Sequence, residues 1–289
     1  MDRTFCIVGA GTVGTALARL LTEAGWPFAG AASRSRRSAE TACEFAGMGR
    51  ASTRAADLTA EAGLVFITTP DDVIGSVCED LAAEDAFRDG SVVAHCSGAL
   101  PSSVLASARA CGASVGSLHP MQSFATAEQA VRILPGSCCC VEGDPQAVTL
   151  LRHVAETLDA HVIAIATEDK PLYHAAGCVA SNYLVALQHA ALKLTDAAGI
   201  SREDAVRMLV PLVKGTAANF AEVGIPDCLT GPISRGDVET VRRHLRAIER
   251  AVPKLLPLYR VMGREAVEVG RAKGTLSSEA ASTILDLLR

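Results

Sequence analysis

Apolar residues fall along this chain in two regimes. Up to residue 165, short apolar runs take turns with stretches of helical spacing, and from Asp169 onward only helical spacing remains. Residues 4–8 form a β-branched apolar run that predicts a strand. Ala16, Leu17, Leu20, Leu21 and Ala24 then recur at helix spacing, and Gly25 stops that helix. Further strands are predicted at 28–32, 64–68, 91–95, 114–118, 138–142 and 161–165, with a helix at 37–46. The run from Leu64 to Thr68 is apolar without alternation, as expected of a parallel strand covered on both faces. This is the doubly wound α/β pattern.

The second regime predicts only helices. A long one spans 169–198, with Pro171 in its first turn and Gly199 as its stop. Ser201-x-x-Asp204 reads as a capping box for the next, which Pro211 is expected to kink. A loop rich in Gly and Pro over 224–236 precedes three helices starting near Asp237, Pro253 and Ser277. The expectation is an α/β domain over 1–167 and an all-helical domain over 168–289.

Composition narrows the function classes. Hydrophobic residues make up 49% of the 289 and charged residues 20%, which argues against disorder. A net charge of -5 argues against a nucleic-acid surface over the whole chain. No uncharged apolar run has the length of a membrane span, and the first residues lead into a strand without a charged-then-apolar leader. The ten cysteines lack any C-x-x-C, and neighbours in the run Cys138, Cys139, Cys140 point to opposite faces of a strand. Reduced thiols, no metal site and a cytoplasmic location are expected.

Chemistry concentrates after the strands. Gly9-Ala10-Gly11-Thr12-Val13-Gly14 joins a strand to a helix, the context a dinucleotide loop requires. Gly9 permits the turn, Gly11 admits a pyrophosphate close to the backbone, and Gly14 lets helix pack on strand, while the helix N-terminus favours phosphate. An NAD site normally carries an acid at the end of the second strand; here stand Ser33 and Arg34, with no acid before Glu40. That exchange points to NADP, whose 2′-phosphate a carboxylate would repel. Thr69 and Pro70, beyond the strand at 64–68, are expected to line the same crevice, and Asp71 or Asp72 to cap the following helix.

Three segments are candidates for catalysis: His95-Cys96-Ser97-Gly98, the stretch from Leu118 to Phe124, and the stretch from Lys170 to Tyr183. Lys170, His174, Cys178 and Asn182 are spaced by four and would share a helix face. A polar stripe on an apolar helix is costly to bury unless it faces a wet or liganded cleft. Lys170 or His174 could donate to an oxygen gaining charge, with Ser97 and His119 orienting a substrate and Asn182 completing the stripe. Arg235, in the polar loop before Asp237, could hold a substrate carboxylate, and Asp237 is expected to cap a helix.

Taken together, His95-Cys-Ser-Gly-Ala-Leu100, Ser117-Leu-His-Pro-Met-Gln-Ser-Phe124, Tyr173-His-Ala-Ala-Gly-Cys-Val-Ala-Ser-Asn182 and Leu229-Thr-Gly-Pro-Ile-Ser-Arg-Gly-Asp237 resemble a bacterial family. It is the Rossmann-like proteins with a C-terminal helical domain of unknown function, often labelled NADP oxidoreductases. They belong with the 6-phosphogluconate and β-hydroxyacid dehydrogenases, ketopantoate reductase, pyrroline-carboxylate reductase and prephenate dehydrogenase. The resemblance implies a helical domain that forms a homodimer and closes the active site. It matches Lys170 to the lysine of a Lys-x-x-x-Asn catalytic pair, but His174 stands in place of the asparagine. His119-Pro120-Met121 is similar to a prephenate dehydrogenase motif, for which His95 is the nearest catalytic histidine. The expected function is an NADP-dependent reductase of a small, acidic carbonyl or imine substrate. The alternative is a sensor that holds NADP(H) without turnover.

Overall fold

The computed structural model describes residues 2–289, in two compact units, the first ending at Ser181 and the second spanning Asn182–Arg289. The first is built on eight strands: β1 (Phe5–Val8), β2 (Phe28–Ala32), β3 (Arg50–Ser52), β4 (Leu64–Ile67), β5 (Val92–His95), β6 (Ser114–Pro120), β7 (Cys138–Gly143) and β8 (His161–Ala164). Their order in the sheet is β3-β2-β1-β4-β5-β6-β7-β8, and every pairing is parallel except β6 with β7. The order reverses beside β1, which sets the carboxyl ends of β1 and β4 side by side at the switch point.

Helices cover both faces: α1 (Thr12–Glu23), α2 (Arg36–Ala46), α3 (Ala56–Thr59), α4 (Ile74–Ala83), α5 (Ala106–Ala110), α6 (Ala127–Ile133), α7 (Pro145–Thr157) and α8 (Lys170–Gly177). The unbroken apolar strands divide between two cores by simple alternation. Phe5, Ile7, Leu64 and Phe66 pack on one side with Leu17 and Leu151. Cys6, Val8, Val65 and Ile67 pack on the other with Ile74 and Leu105. Seven of the eight strands coincide with predicted runs. The three-residue β3 at the sheet edge was not foreseen, because Arg-Ala-Ser carries no apolar signal.

The predicted single helix at 169–198 is interrupted. A 3-10 turn (Thr167–Asp169) leads into α8, a π turn comes next at Cys178–Asn182, and α9 (Tyr183–Ala197) resumes. A π turn inserts one extra residue, which rotates the remainder of the helix by about 100°. The four-residue stripe therefore does not persist from His174 to Asn182. The expected boundary at 167/168 also lies short of the end of the first unit, because Lys170 is bonded into that unit by the loop after β5 and by β6.

The second unit contains α9, α10 (Arg202–Val223), α11 (Val238–Ala251), α12 (Leu256–Lys273) and α13 (Ser278–Leu287). α10 runs on through Pro211, and Ser201 caps it through its hydroxyl. Asp237 caps α11, accepting from the Thr240 amide at 3.0 Å and the Thr240 hydroxyl at 2.7 Å. Val241, Val267, Ala281, Ile284 and Leu288 form its core. On α10, Met208, Leu212 and Phe220 are exposed. No helix of the described residues is long and apolar enough to cross a membrane.

Candidate functional site

The carboxyl ends of β1, β2 and β4 open on a cleft of about 290 Å³, lined by Gly9, Ala10, Gly11, Ser33, Arg34, Thr69 and Pro70 among others. Each glycine of the loop has a separate reason to be glycine. Gly9 sits at φ +107°, and a Cβ there would meet the Thr68 carbonyl carbon and the Thr69 amide nitrogen at 2.7 Å. A Cβ on Gly14 would run into the Thr68 hydroxyl, the Gly9 carbonyl oxygen and Ile7. The Thr68 hydroxyl holds this turn by donating to Gly9 O at 2.6 Å.

Gly11 differs from both. The nearest atom to its missing Cβ is 4.0 Å away, so the protein's own packing leaves its Cα face open toward the cleft. Gly11 is also the N-cap of α1 and offers no side chain to the first turn. The amides of Thr12, Val13 and Gly14 have no partner in the chain among the described residues. Free amides at a helix start, beside an uncrowded glycine, suit a phosphate group. At the end of β2, Arg36 pairs with Glu40 at 2.9 Å, whereas Arg34 is exposed and makes no ion pair among the described residues. The Thr69 hydroxyl is buried and unpartnered at the same edge. These features fit a dinucleotide.

Next to the cleft, beyond β4, β5 and β6, lies a polar centre. Lys170 is 1% exposed. Its ammonium donates to Ser97 O at 2.8 Å, to Leu100 O at 2.5 Å and to the Ser117 hydroxyl at 2.5 Å, and lies 3.4 Å from the Glu142 carboxylate. Burial lowers its pKa, outweighing the opposing pull of Glu142. Glu142 in turn accepts from the Ser102 amide and hydroxyl, each at 2.8 Å, and from the Thr167 hydroxyl at 2.9 Å. With three N–H bonds already spent on chain acceptors, Lys170 locks the loop after β5 and faces inward.

Ser97 is equally occupied. Its hydroxyl donates to Asp71 at 2.6 Å and accepts from the amides of Ala99 and Leu100. Asp71 thus ties the loop after β4 to the loop after β5. The expected helix cap is not formed, because Asp71 and Asp72 lie inside a 3-10 turn (Asp71–Val73) and α4 starts after Val73 without a side-chain cap. His95 accepts from the Ser97 amide through Nδ1, which puts its proton on Nε2, toward Pro101 O at 3.3 Å. It is fully buried and shapes this loop, so it is unavailable as the catalytic histidine that the resemblance suggested.

His119 and His174 come together. Their ring centroids are 6.4 Å apart, and both lie against Gly98, where a Cβ would stand 2.7 Å from His119 Nε2 and 2.9 Å from His174 Cδ2. Tyr173, which sequence reasoning did not single out, completes the group with its hydroxyl 2.9 Å from His119 Nδ1. Its signal was available: it directly precedes His174 in the same motif. The pKa of His119 falls to about 4, through burial first and then the charge of Lys170, and His95 falls to about 4 for the same causes in the same order.

These two shifts fix a pH response. In the unfolded chain each imidazole takes a proton near pH 6.5, in the fold only near pH 4. Between those values the unfolded state binds more protons, so stability falls as the pH drops through the window, by roughly 3 kcal/mol for a fully buried imidazole. Urea unfolding at pH 7 and pH 4.5 should show the loss, and a His95→Gln variant should show a shallower one. Equal slopes for the two proteins would exclude His95 as a cause.

The structure thus groups Lys170, Ser97, His119 and His174 within the first unit. Asn182 and Arg235 belong to the second; both are exposed and make no hydrogen bond through their side chains among the described residues.

Family models match a Rossmann-like domain over residues 3–120 and a domain of unknown function, DUF2520, over residues 137–266. Protein TM1727 from Thermotoga maritima is similar over 93% of this chain and 99% of its own, with a TM-score of 0.75 and 27% identity. Protein BF3122 from Bacteroides fragilis, provisionally titled an NADP oxidoreductase, is similar over 92% and 98%, with a TM-score of 0.73 and 22% identity. An imine reductase variant from Myxococcus stipitatus, solved with NAD+, is similar over 99% and 100%, with a TM-score of 0.63 and 17% identity. No curated protein matches the sequence. The chain thus matches a Rossmann-like model over its first part and a DUF2520 model over its second, in a fold shared with an imine reductase solved with NAD+.

Proposed function

We propose that this chain is an NADP-dependent reductase of a small carbonyl or imine compound. One observation carries the reading: the cleft at the ends of β1, β2 and β4 combines an unobstructed Gly11 with an unpaired Arg34. In this reading the α1 amides bind the pyrophosphate, and Ser33 and Arg34 bind the 2′-phosphate. When bound, the nicotinamide supplies the hydride. His119 and His174 orient the substrate beside Gly98, and Tyr173 shares a proton with His119 Nδ1. Lys170 and Ser97 are positioning residues that hold the loop at 97–100. Arg235 is the candidate ligand for an acidic group on the substrate.

The exposed apolar residues of α10 support a homodimer formed through the second unit. The inward-facing Lys170 favours one other reading, a protein that holds NADP(H) without turnover. Substrate-dependent oxidation of NADPH, followed across oxo acids and cyclic imines, separates the two. Arg34→Ala is expected to weaken NADPH binding about tenfold or more, the loss of a charge-assisted contact, and to leave NADH binding unchanged. Equal weakening of both nucleotides would remove Arg34 from the 2′-phosphate site.

A further inference from the structure

The polar centre has an asymmetry of charge. Of its ammonium and carboxylate groups, Lys170 and Glu142 are buried against each other, and Asp71 alone is exposed. Asp71 follows Pro70, which lines the cleft, and its bond to Ser97 sets its carboxylate between the cleft and the polar centre. One oxygen of Asp71 is fixed by the Ser97 hydroxyl at 2.6 Å, and the other has no partner among the described residues.

That arrangement suits one class of hydride acceptor better than another. Hydride addition to a carbonyl produces an alkoxide, which needs a proton or a cation close by. The ammonium of this centre is spent on Ser97, Leu100 and Ser117, the His119 imidazole is uncharged with its Nδ1 taken up by the Tyr173 hydroxyl, and an exposed carboxylate would oppose the developing charge. Hydride addition to a protonated imine runs the other way. The imine carbon gains the hydride, the C=N π pair becomes a lone pair on nitrogen, and the positive charge is cancelled. The product is a neutral amine, no proton has to be supplied, and reduced nicotinamide is the two-electron donor. A carboxylate beside such a nitrogen attracts the substrate and releases the neutral product.

Resting on the NADP(H) reading above, we propose that the reacting centre takes a protonated imine and that Asp71 recognises its positive nitrogen. The test uses the whole chain with saturating NADP+ and piperidine, a protonated cyclic amine, as probe. Calorimetry is expected to show piperidine binding, weakened about tenfold or more by Asp71→Asn, with NADPH affinity unchanged and the thermal unfolding temperature lowered only slightly, since the asparagine oxygen still accepts from Ser97. NADPH oxidation is expected with the cyclic imine piperideine and not with pyruvate.

Piperidine binding that ignores Asp71→Asn overturns the proposal, as does reduction of pyruvate without reduction of the imine. If Asp71→Asn weakens NADPH and leaves piperidine untouched, the carboxylate serves the cofactor and the proposal falls. Failure of the wild-type chain to bind NADPH at all marks the other case, in which the cofactor reading fails first and this inference with it.

Discussion

Glu142→Ala is expected to destabilise the protein by about 3–5 kcal/mol, the range for removing one partner of a buried ion pair. The carboxylate is 3% exposed and joins four groups: the Ser102 amide, the Ser102 hydroxyl, the Thr167 hydroxyl and the Lys170 ammonium. Its loss leaves an ammonium in the interior without a counter-charge and two hydroxyls without an acceptor. Denaturant unfolding measures the effect. The double variant Glu142→Leu with Lys170→Met separates charge from packing, because it removes both ions and refills the volume. It should cost at least about 2 kcal/mol less than the two single changes summed. A cost below about 1 kcal/mol for Glu142→Ala would mean that the pair does not hold this centre together.

Gly11→Val should do the opposite: abolish nucleotide binding and leave the fold intact. The backbone at Gly11 has φ -87°, which any residue adopts, and no protein atom lies closer than 4.0 Å to the added Cβ. Valine is a poor N-cap, so a destabilisation of up to about 1 kcal/mol is expected. The branched side chain, however, fills the space over the α1 amides that a pyrophosphate needs. NADPH affinity should fall by about a hundredfold or more, the loss of roughly 3 kcal/mol of phosphate contact. Gly9→Ala is the contrasting control, since its Cβ collides with backbone at 2.7 Å and stability itself should drop. Normal NADPH binding by Gly11→Val would place the phosphates elsewhere.

The readable and unreadable parts of this protein differ in range. Strands such as β1 and β4 announce themselves through local runs of apolar residues, and the glycine loop through its position between strand and helix. The caps at Ser201 and Asp237 are equally local, each set by residues three apart. The interruption of α8 by a π turn has no such mark, because Cys178–Asn182 contains neither glycine nor proline. The polar centre was visible as residue types and invisible as bonding. Lys170 meets acceptors 73, 70 and 53 positions away, so spacing on its own helix could not show that its ammonium faces inward. Glu142, a charge closing a run of apolar residues, was the one local hint of a buried counter-ion. Asp71 looked like a cap because aspartate often is one; its bond to Ser97 joins two loops 26 residues apart.

In the proposed function this cleft selects the 2′-phosphate of NADP(H). Fluorescence titration of the wild-type chain with NADPH and with NADH tests it most directly. Tighter binding of NADPH by about tenfold or more is the predicted result, and equal affinity or a preference for NADH would contradict it.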